Sequence, residues 1–313
     1  MMGSLVKGTK VGLTTTWTLG KIIFPTTLLV TLVQYTPLLP WLIEWISPFM
    51  SWFGLSGDAA IPLVLGNFLN LYAAIGGILS LDLTVKEVFI VAMMLSFSHN
   101  LLIESSVAVK VGVRLWIILL VRIGLALFSA VVLHLVWDGG SELAQYGFMP
   151  SVQADVGSWA MIAAMALQKA TFGVLQLALI VIPLMIGIQF LKDLQWLQKF
   201  SALLAPFTRR LGMNENTSTT LAAGLLFGLA YGAGVMIQAV KEDGVSKRDV
   251  TLAFIFLVGC HAVVEDTLIF LPLGIPVWPL LLIRLGTAII LTWAIGRAWK
   301  KKEVSNGKEF TLT

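Results

Sequence analysis

Apolar positions along the chain collect into long blocks divided by short polar stretches. They show neither the strict alternation of a half-buried strand nor the single stripe of a soluble amphipathic helix. In the first part of the sequence these blocks run over about 11–35, 58–80, 86–112 and 114–137, and similar blocks fill the remainder. A hydrocarbon core of about 30 Å needs about 20 residues of helix, so blocks of this length predict membrane-embedded helices. The stretches "WLIEWISPFMSW" (41–52) and "WLQKFSALLAPF" (196–207) are too short and too amphipathic to span, and are predicted to lie on the membrane surface. The first run, Val11 to Tyr35, is too long for a signal-peptide core and has no small-residue cleavage site, so it is read as a retained helix. The expected class is an all-α, polytopic integral membrane protein.

The blocks repeat. Pro25 aligns with Pro183 (183 − 25 = 158), and Pro48 with Pro206 and Gly54 with Gly212 keep the same offset. After a loop the offset becomes 162 (278 − 116), where Trp116 meets Trp278, "LLVRIG" (119–124) meets "LLIRLG" (281–286) and Trp137 meets Trp299. The organisation that follows is an N-terminal tail (1–10), repeat one (11–137), a linker with the start of the next helix (138–168), repeat two (169–299) and a basic tail (300–313).

Composition agrees with a membrane protein: 58% of the 313 residues are hydrophobic, 12% are charged and mean hydropathy is +0.90, against about 25% charged in a soluble domain. The net charge of +4 sits on Lys and Arg at segment ends, where it encodes topology, so no nucleic-acid partner is read from it. Lys7 and Lys10 put the N-terminus in the cytoplasm; Arg297 with Lys300, Lys301 and Lys302 puts the C-terminus there too. The linker from Asp138 to Ser158 carries Asp138, Glu142 and Asp155 but no Lys or Arg, and is expected outside the cell.

A repeat that starts inside and ends outside crosses an odd number of times, so two such repeats are inverted. With four apolar blocks per repeat, one must fail to cross. The third is the expected re-entrant hairpin, entered past Lys86 and Glu87, left past Lys110 and Arg114, and interrupted by Ser98-His99-Asn100. Each repeat is then about three spanning helices, a re-entrant hairpin and a surface amphipathic helix. Lys247 and Arg248 fall on the outer side in this scheme, against the positive-inside trend.

The candidate chemistry sits at the expected hairpin tips. "SFSHNLLIES" (96–105) and "VGCHAVVEDT" (258–267) both belong to a His-x4-acid-x17-Arg pattern: His99, Glu104 and Arg122 in repeat one, His261, Asp266 and Arg284 in repeat two. An ionisable side chain at the bilayer centre costs about 2.5–3.5 kcal/mol on insertion scales, so six in matching places call for partners or for a polar cargo. Two uses of the arginines stay open, an ion pair with Glu104 or Asp266 and a contact to cargo. The histidines either satisfy backbone carbonyls freed at the tips or line an aqueous cavity. Asn100 and Glu265 join the set beside the histidines, as do Asn67 and Asn70 in the second block, amides that are costly in lipid without partners. Cys260 beside His261 and Glu265 suggests a metal, but repeat one has Ser98 at the cysteine's position, and no metal ligand set or cofactor is assigned. "HAVVE" lacks the spacing that puts two histidines on one helical face, so no enzyme is expected.

The stretch "PFTRRLGMNENTSTTLAAGLLFGLAYGAG" and the segment "TLAFIFLVGCHAVVEDT" resemble the nucleoside-recognition, or Gate, domain proteins of bacterial inner membranes. Related domains occur in concentrative nucleoside transporters, in ferrous-iron transporter B and in the spore maturation A and B proteins. The resemblance implies a transport-type fold, whereas the chain has no "GxxxxGK[ST]" loop for coupling to GTP. The expected function is a cell-membrane secondary transporter or permease of a small polar solute, nucleoside-like or an organic anion, with a midplane site between the repeats. The alternatives are a non-transporting membrane assembly factor and a divalent-metal permease. The expected partners are a small-molecule or ion cargo and the lipid bilayer, with room for a homo-oligomer.

Overall fold

The computed structural model describes residues 2–147 and 158–305; part of the predicted external linker (148–157) and the end of the predicted cytoplasmic tail (306–313) lie outside the described residues. The described residues are helical apart from turns and loops, and five helical stretches are long and apolar enough to cross a membrane, or six if one bent pair counts as a span. The chain is a multi-pass membrane protein. It divides into two compact units: Met1–Leu102 with Ile123–Leu194 and Glu265–Leu280, and Ile103–Arg122 with Gln195–Val264 and Leu281–Thr313. Each repeat therefore gives the segment that follows its histidine to the other repeat's unit.

In the first unit, α1 (Met2–Gln34) and α8 (Trp159–Asp193) run antiparallel along a glycine seam. A Cβ on Gly8 would lie 2.6 Å from the Ile186 Cα, and one on Gly12 2.9 Å from the Ile182 Cα, so the backbones touch where no side chain intervenes. The aromatic-rich α2 (Leu38–Met50) exposes Trp41, Trp45 and Phe49. The stretch Glu44–Phe53 then meets Gly57–Phe68 at 87°.

The next two helices, α3 (Ala60–Phe68) and α4 (Leu71–Ser80), correct the sequence reading. A Cβ on Gly77 would lie 3.1 Å from the Leu65 Cδ1 and 3.4 Å from the Pro62 Cα; one on Gly66 would lie 2.9 Å from the Ala74 Cβ. Along a straight helix, residues 62 and 77 would stand about 22 Å apart. The chain has turned back, so the helical hairpin is the second apolar block. Asn70 makes the turn: its backbone is extended (φ −169°, ψ 170°) and its side chain accepts from the Ala73 N–H at 2.9 Å, capping the returning helix. Small residues at 66, 74 and 77 let the arms close on each other.

The third block, expected as the hairpin, is instead one stretch of 26 residues, Val85–Lys110, long and apolar enough to cross a membrane and interrupted in its middle. It consists of α5 (Val85–Ser98) and α6 (Leu101–Lys110), with Asn100 in the left-handed region (φ 54°) between them. A single left-handed residue breaks the hydrogen-bond ladder without needing a reversing loop. From α6 the chain enters α7 (Leu115–Val136).

The second unit repeats these devices. Its α9 (Trp196–Arg210) carries Arg209 and Arg210 on the surface, and α10 (Ser218–Tyr231) breaks at Gly228, whose φ of 76° and ψ of 177° are open to glycine alone. A Cβ on Gly232 would lie 3.0 Å from the Ala223 carbonyl oxygen, so the chain turns back here as well and returns through α11 (Ala233–Glu242). Then follow α12 (Lys247–Gly259), a single turn α13 (Glu265–Leu268), and α14 (Val277–Ser305). The core of this unit gathers Leu221, Phe254, Phe256, Leu257 and Ala288 around Val107, Ala108 and Ile118 from repeat one.

The broken spans start from matching caps. Thr84 caps α5 and Ser246 caps α12, each accepting from the N–H three residues on. The acid at that third position reaches back in both: Glu87 accepts from the Ser56 N–H at 2.8 Å and Asp249 from the Asn214 N–H at 3.2 Å.

Candidate functional site

Each break is built by the same three contacts. The histidine ring folds back on its own helix, with His99 Nδ1 2.6 Å from the Leu95 carbonyl and His261 Nδ1 2.7 Å from the Leu257 carbonyl. The next residue is left-handed: Asn100 at φ 54° and Ala262 at φ 41°. Its N–H then donates to a carbonyl in the hairpin, Asn100 to Gly66 at 2.7 Å and Ala262 to Gly224 at 3.0 Å, and Val263 adds a bond to the Leu225 carbonyl at 2.9 Å. Backbone groups released by the break are thus satisfied inside the protein, as a membrane interior demands. A Cβ on Gly66 would lie 2.4 Å from Leu95 Cδ2, and one on Gly224 2.5 Å from Leu257 Cδ1, so glycine lets the hairpin carbonyl come this close.

In the second unit the charged residues of both repeats meet. Arg122 Nη1 lies 2.9 Å from Glu104 Oε2, and His261 Nε2 lies 3.3 Å from the same oxygen. Arg284 donates through Nη2 to the His261 carbonyl at 3.0 Å. Both arginines are 0% exposed and Glu104 is 3% exposed. A carboxylate at such depth holds its charge only with a cation in contact, and Arg122 provides one. The carbonyl that accepts from Arg284 belongs to the broken segment, where the helix ladder leaves it unused.

In the first unit the acids of repeat two join residues of repeat one. Tyr72 donates to Glu265 Oε1 at 2.5 Å, and a ring nitrogen of His99 lies within 4.8 Å of a carboxylate oxygen of Asp266. Tyr72 went unnoticed in the sequence. Its signal is a phenol two residues after Asn70 in an otherwise apolar block. Lys169, also overlooked, sits within α8 and donates to the Ser80 carbonyl at 3.1 Å.

Of the residues singled out, Glu104, Arg122, His261 and Arg284 form one cluster, while His99, Glu265 and Asp266 lie in the first unit. Asn67, Asn70 and Asn100 are engaged with backbone: Asn67 donates to the Leu63 carbonyl at 2.7 Å, Asn70 caps α4, and Asn100 makes the break. The histidines do not open to an aqueous cavity in this state, being 4% and 1% exposed, and Cys260 is 0% exposed within the apolar core. A groove of about 520 Å³ between α1 and α8, lined by Leu13, Trp17, Phe24 and Val174, is apolar and contains none of these residues.

The profile of the Gate family, described as nucleoside recognition, matches residues 16–114 and 174–275 of the chain. The chain is also similar to the uncharacterized membrane protein YvoD of Bacillus subtilis (strain 168), with 67% identity over 303 residues that cover 96% of this chain and 97% of that protein. No solved structure matches it.

Proposed function

Because the chain belongs to the Gate, or nucleoside recognition, family of membrane proteins, we propose that it is a secondary transporter or permease of a small polar solute, nucleoside-like or an organic anion, in the cell membrane. The observation that carries this is the buried cluster drawn from both repeats, Glu104 and Arg122 with His261 and Arg284. Charges from two halves of a duplicated membrane protein converge on interrupted helices, as they do where transporters hold substrate. The two arginines favour an anionic or hydrogen-bond-accepting solute and oppose a divalent cation. On this reading the protein is no enzyme and works without a cofactor.

The topology that goes with it has three crossings per repeat: α1, α5 with α6, and α7 in the first; α8, α12 with α13, and α14 in the second. The hairpins enter and leave on one side. Three is odd, so the repeats are inverted, with both termini cytoplasmic and the linker outside. Moving the hairpin to the second block also removes the charge anomaly. Lys247 and Arg248 now fall on the same side as Arg209 and Arg210, and Arg248 donates to the Gly212 carbonyl at 2.8 Å and the Gly296 carbonyl at 3.1 Å. In a Cys260→Ser background, Lys247→Cys is expected to resist impermeant thiol reagents in intact cells and Ser141→Cys to react.

Full burial of the Arg122–Glu104 pair also suits a second reading, a membrane assembly factor in which these charges only hold the fold. A thermal-shift screen of the purified protein against nucleosides, nucleobases, organic acids and divalent metals separates the two. A solute that raises the melting temperature of the wild type but not of Arg284→Lys supports transport; no shift with any solute supports the assembly factor.

A further inference from the structure

A lysine stands at the mouth of the apolar groove between α1 and α8. Lys21 is exposed, and its ammonium lies 5.2 Å from the ring centroid of Trp17, one turn back toward the N-terminus. Trp17 is exposed as well, and both side chains line the groove with Leu13, Gly20, Phe24 and Val174. Tyr35 follows Trp17 by 18 residues (35 − 17), about 27 Å of helix, close to the thickness of a hydrocarbon core. Aromatic rings collect at the two edges of that core, so Trp17 marks one edge and Tyr35 the other. The Lys21 Cα is then about 6 Å (4 × 1.5) inside its edge, and the side chain runs back along Trp17 to bring the ammonium to headgroup level.

The same level offers a second donor. Thr14 and Thr18 donate to carbonyls four residues back, each at 2.9 Å, whereas the buried Thr16 hydroxyl, which also lines the groove, makes no hydrogen bond. An ammonium and a free hydroxyl beside a groove of about 520 Å³ with mainly apolar walls suit a ligand with an anionic head and an apolar tail. We propose that the groove holds one acyl chain of an anionic phospholipid, with the phosphate at Lys21 and Thr16 and the chain running along Gly20, Phe24 and Val174 toward the middle of the bilayer. Gly20 forms the floor, since a Cβ there would lie 3.3 Å from Val174 Cγ1. Lys10, 11 residues before Lys21 (21 − 10) and so on nearly the same helical face, is exposed and adds positive potential on the headgroup side. A zwitterionic head carries its own cation and gains less from either lysine. With the N-terminus cytoplasmic, as proposed above, the lipid belongs to the inner leaflet; the site itself rests on neither that topology nor the transport reading.

Native mass spectrometry of the purified full chain, titrated with dioleoyl phosphatidylglycerol or dioleoyl phosphatidylcholine, counts the bound lipid. The wild type is expected to retain one phosphatidylglycerol about fivefold more tightly than phosphatidylcholine, the effect of one basic side chain at a membrane surface. Lys21→Gln is expected to erase that preference, Lys21→Arg to keep it, and Thr16→Val to weaken it in part. Leu175→Trp, at an exposed position that lines the groove, is expected to weaken both lipids by filling the bed of the chain. Brominated acyl chains give a second readout that needs no change at Lys21. The fluorescence that Trp17→Phe removes is expected to be quenched at a lower fraction of brominated phosphatidylglycerol than of brominated phosphatidylcholine. Equal retention of the two lipids by the wild type, or a preference that survives Lys21→Gln, would overturn the site. So would equal losses in Lys7→Gln, Lys10→Gln and Lys21→Gln, which mean diffuse attraction, and so would a dimer that Leu175→Trp dissolves, which puts a second copy in the groove.

Discussion

In repeat one the broken span resumes after Asn100 as a helix of ten residues; in repeat two it resumes after Ala262 as a single turn, Glu265–Leu268, followed by the 3-10 turn Leu271–Leu273. Up to the break the two are alike in capping residue, histidine ring, left-handed residue and glycine carbonyl. Beyond it, Pro272, Pro276 and Pro279 remove donors and forbid a continuous helix in repeat two, and no proline occupies the corresponding stretch of repeat one. Both arginines are fully buried; Arg122 meets the Glu104 carboxylate, and Arg284 donates to the His261 carbonyl. The backbone devices of the two breaks are alike, and the chain that follows them differs.

The largest expected effects fall on the buried arginines. Arg122→Ala leaves Glu104 buried beside no guanidinium and is expected to cost about 3–5 kcal/mol. Arg284→Ala removes a charge-assisted bond to a carbonyl and is expected to cost about 1–3 kcal/mol. Melting curves in detergent measure both, and equal losses would mean that Arg284 also supports a buried carboxylate. Adding Glu104→Gln to Arg122→Ala is expected to recover much of the loss, because the orphaned charge is gone.

The hairpin tips should differ next. Gly228→Ala forces a side chain into a backbone region open to glycine, with its Cβ 3.1 Å from that of Ala262, and is expected to cost about 1–3 kcal/mol. Asn70→Ala, at the matching position of repeat one, loses a cap and is expected to cost about 1 kcal/mol. The smallest effects test the likeness of the repeats. Thr84→Ala and Ser246→Ala each remove one cap, and both are expected near 1 kcal/mol by the same melting assay. A clear inequality between those two would mean that the matching start of the broken spans is only geometric.

The helical, multi-pass class is readable in the residues, because apolar blocks of about 20 residues and more recur along the whole chain. The hairpin was assigned to the wrong block because a polar trio inside an apolar run looks the same whether the chain turns back or merely steps through a left-handed residue. Asn70 and Gly228 mark the real turns, but amide and glycine residues also serve caps and packing seams, and only the approach of Gly77 to Pro62 distinguishes these uses. Nor does spacing reveal exchange. Glu104 meets the histidine of the other repeat, 157 residues away (261 − 104), a pairing set by tertiary packing.

The central claim, that the cluster serves a solute as well as the fold, is tested most directly by counterflow exchange in proteoliposomes, with nucleosides and organic anions compared between wild type and Arg284→Lys. Lysine keeps the charge and loses the guanidinium geometry. The account predicts saturable exchange of at least one solute by the wild type, and at least about a tenfold loss in Arg284→Lys with its melting temperature nearly kept. Exchange by Arg284→Lys at the wild-type rate, or no exchange of any solute by a well-folded wild type, would contradict it.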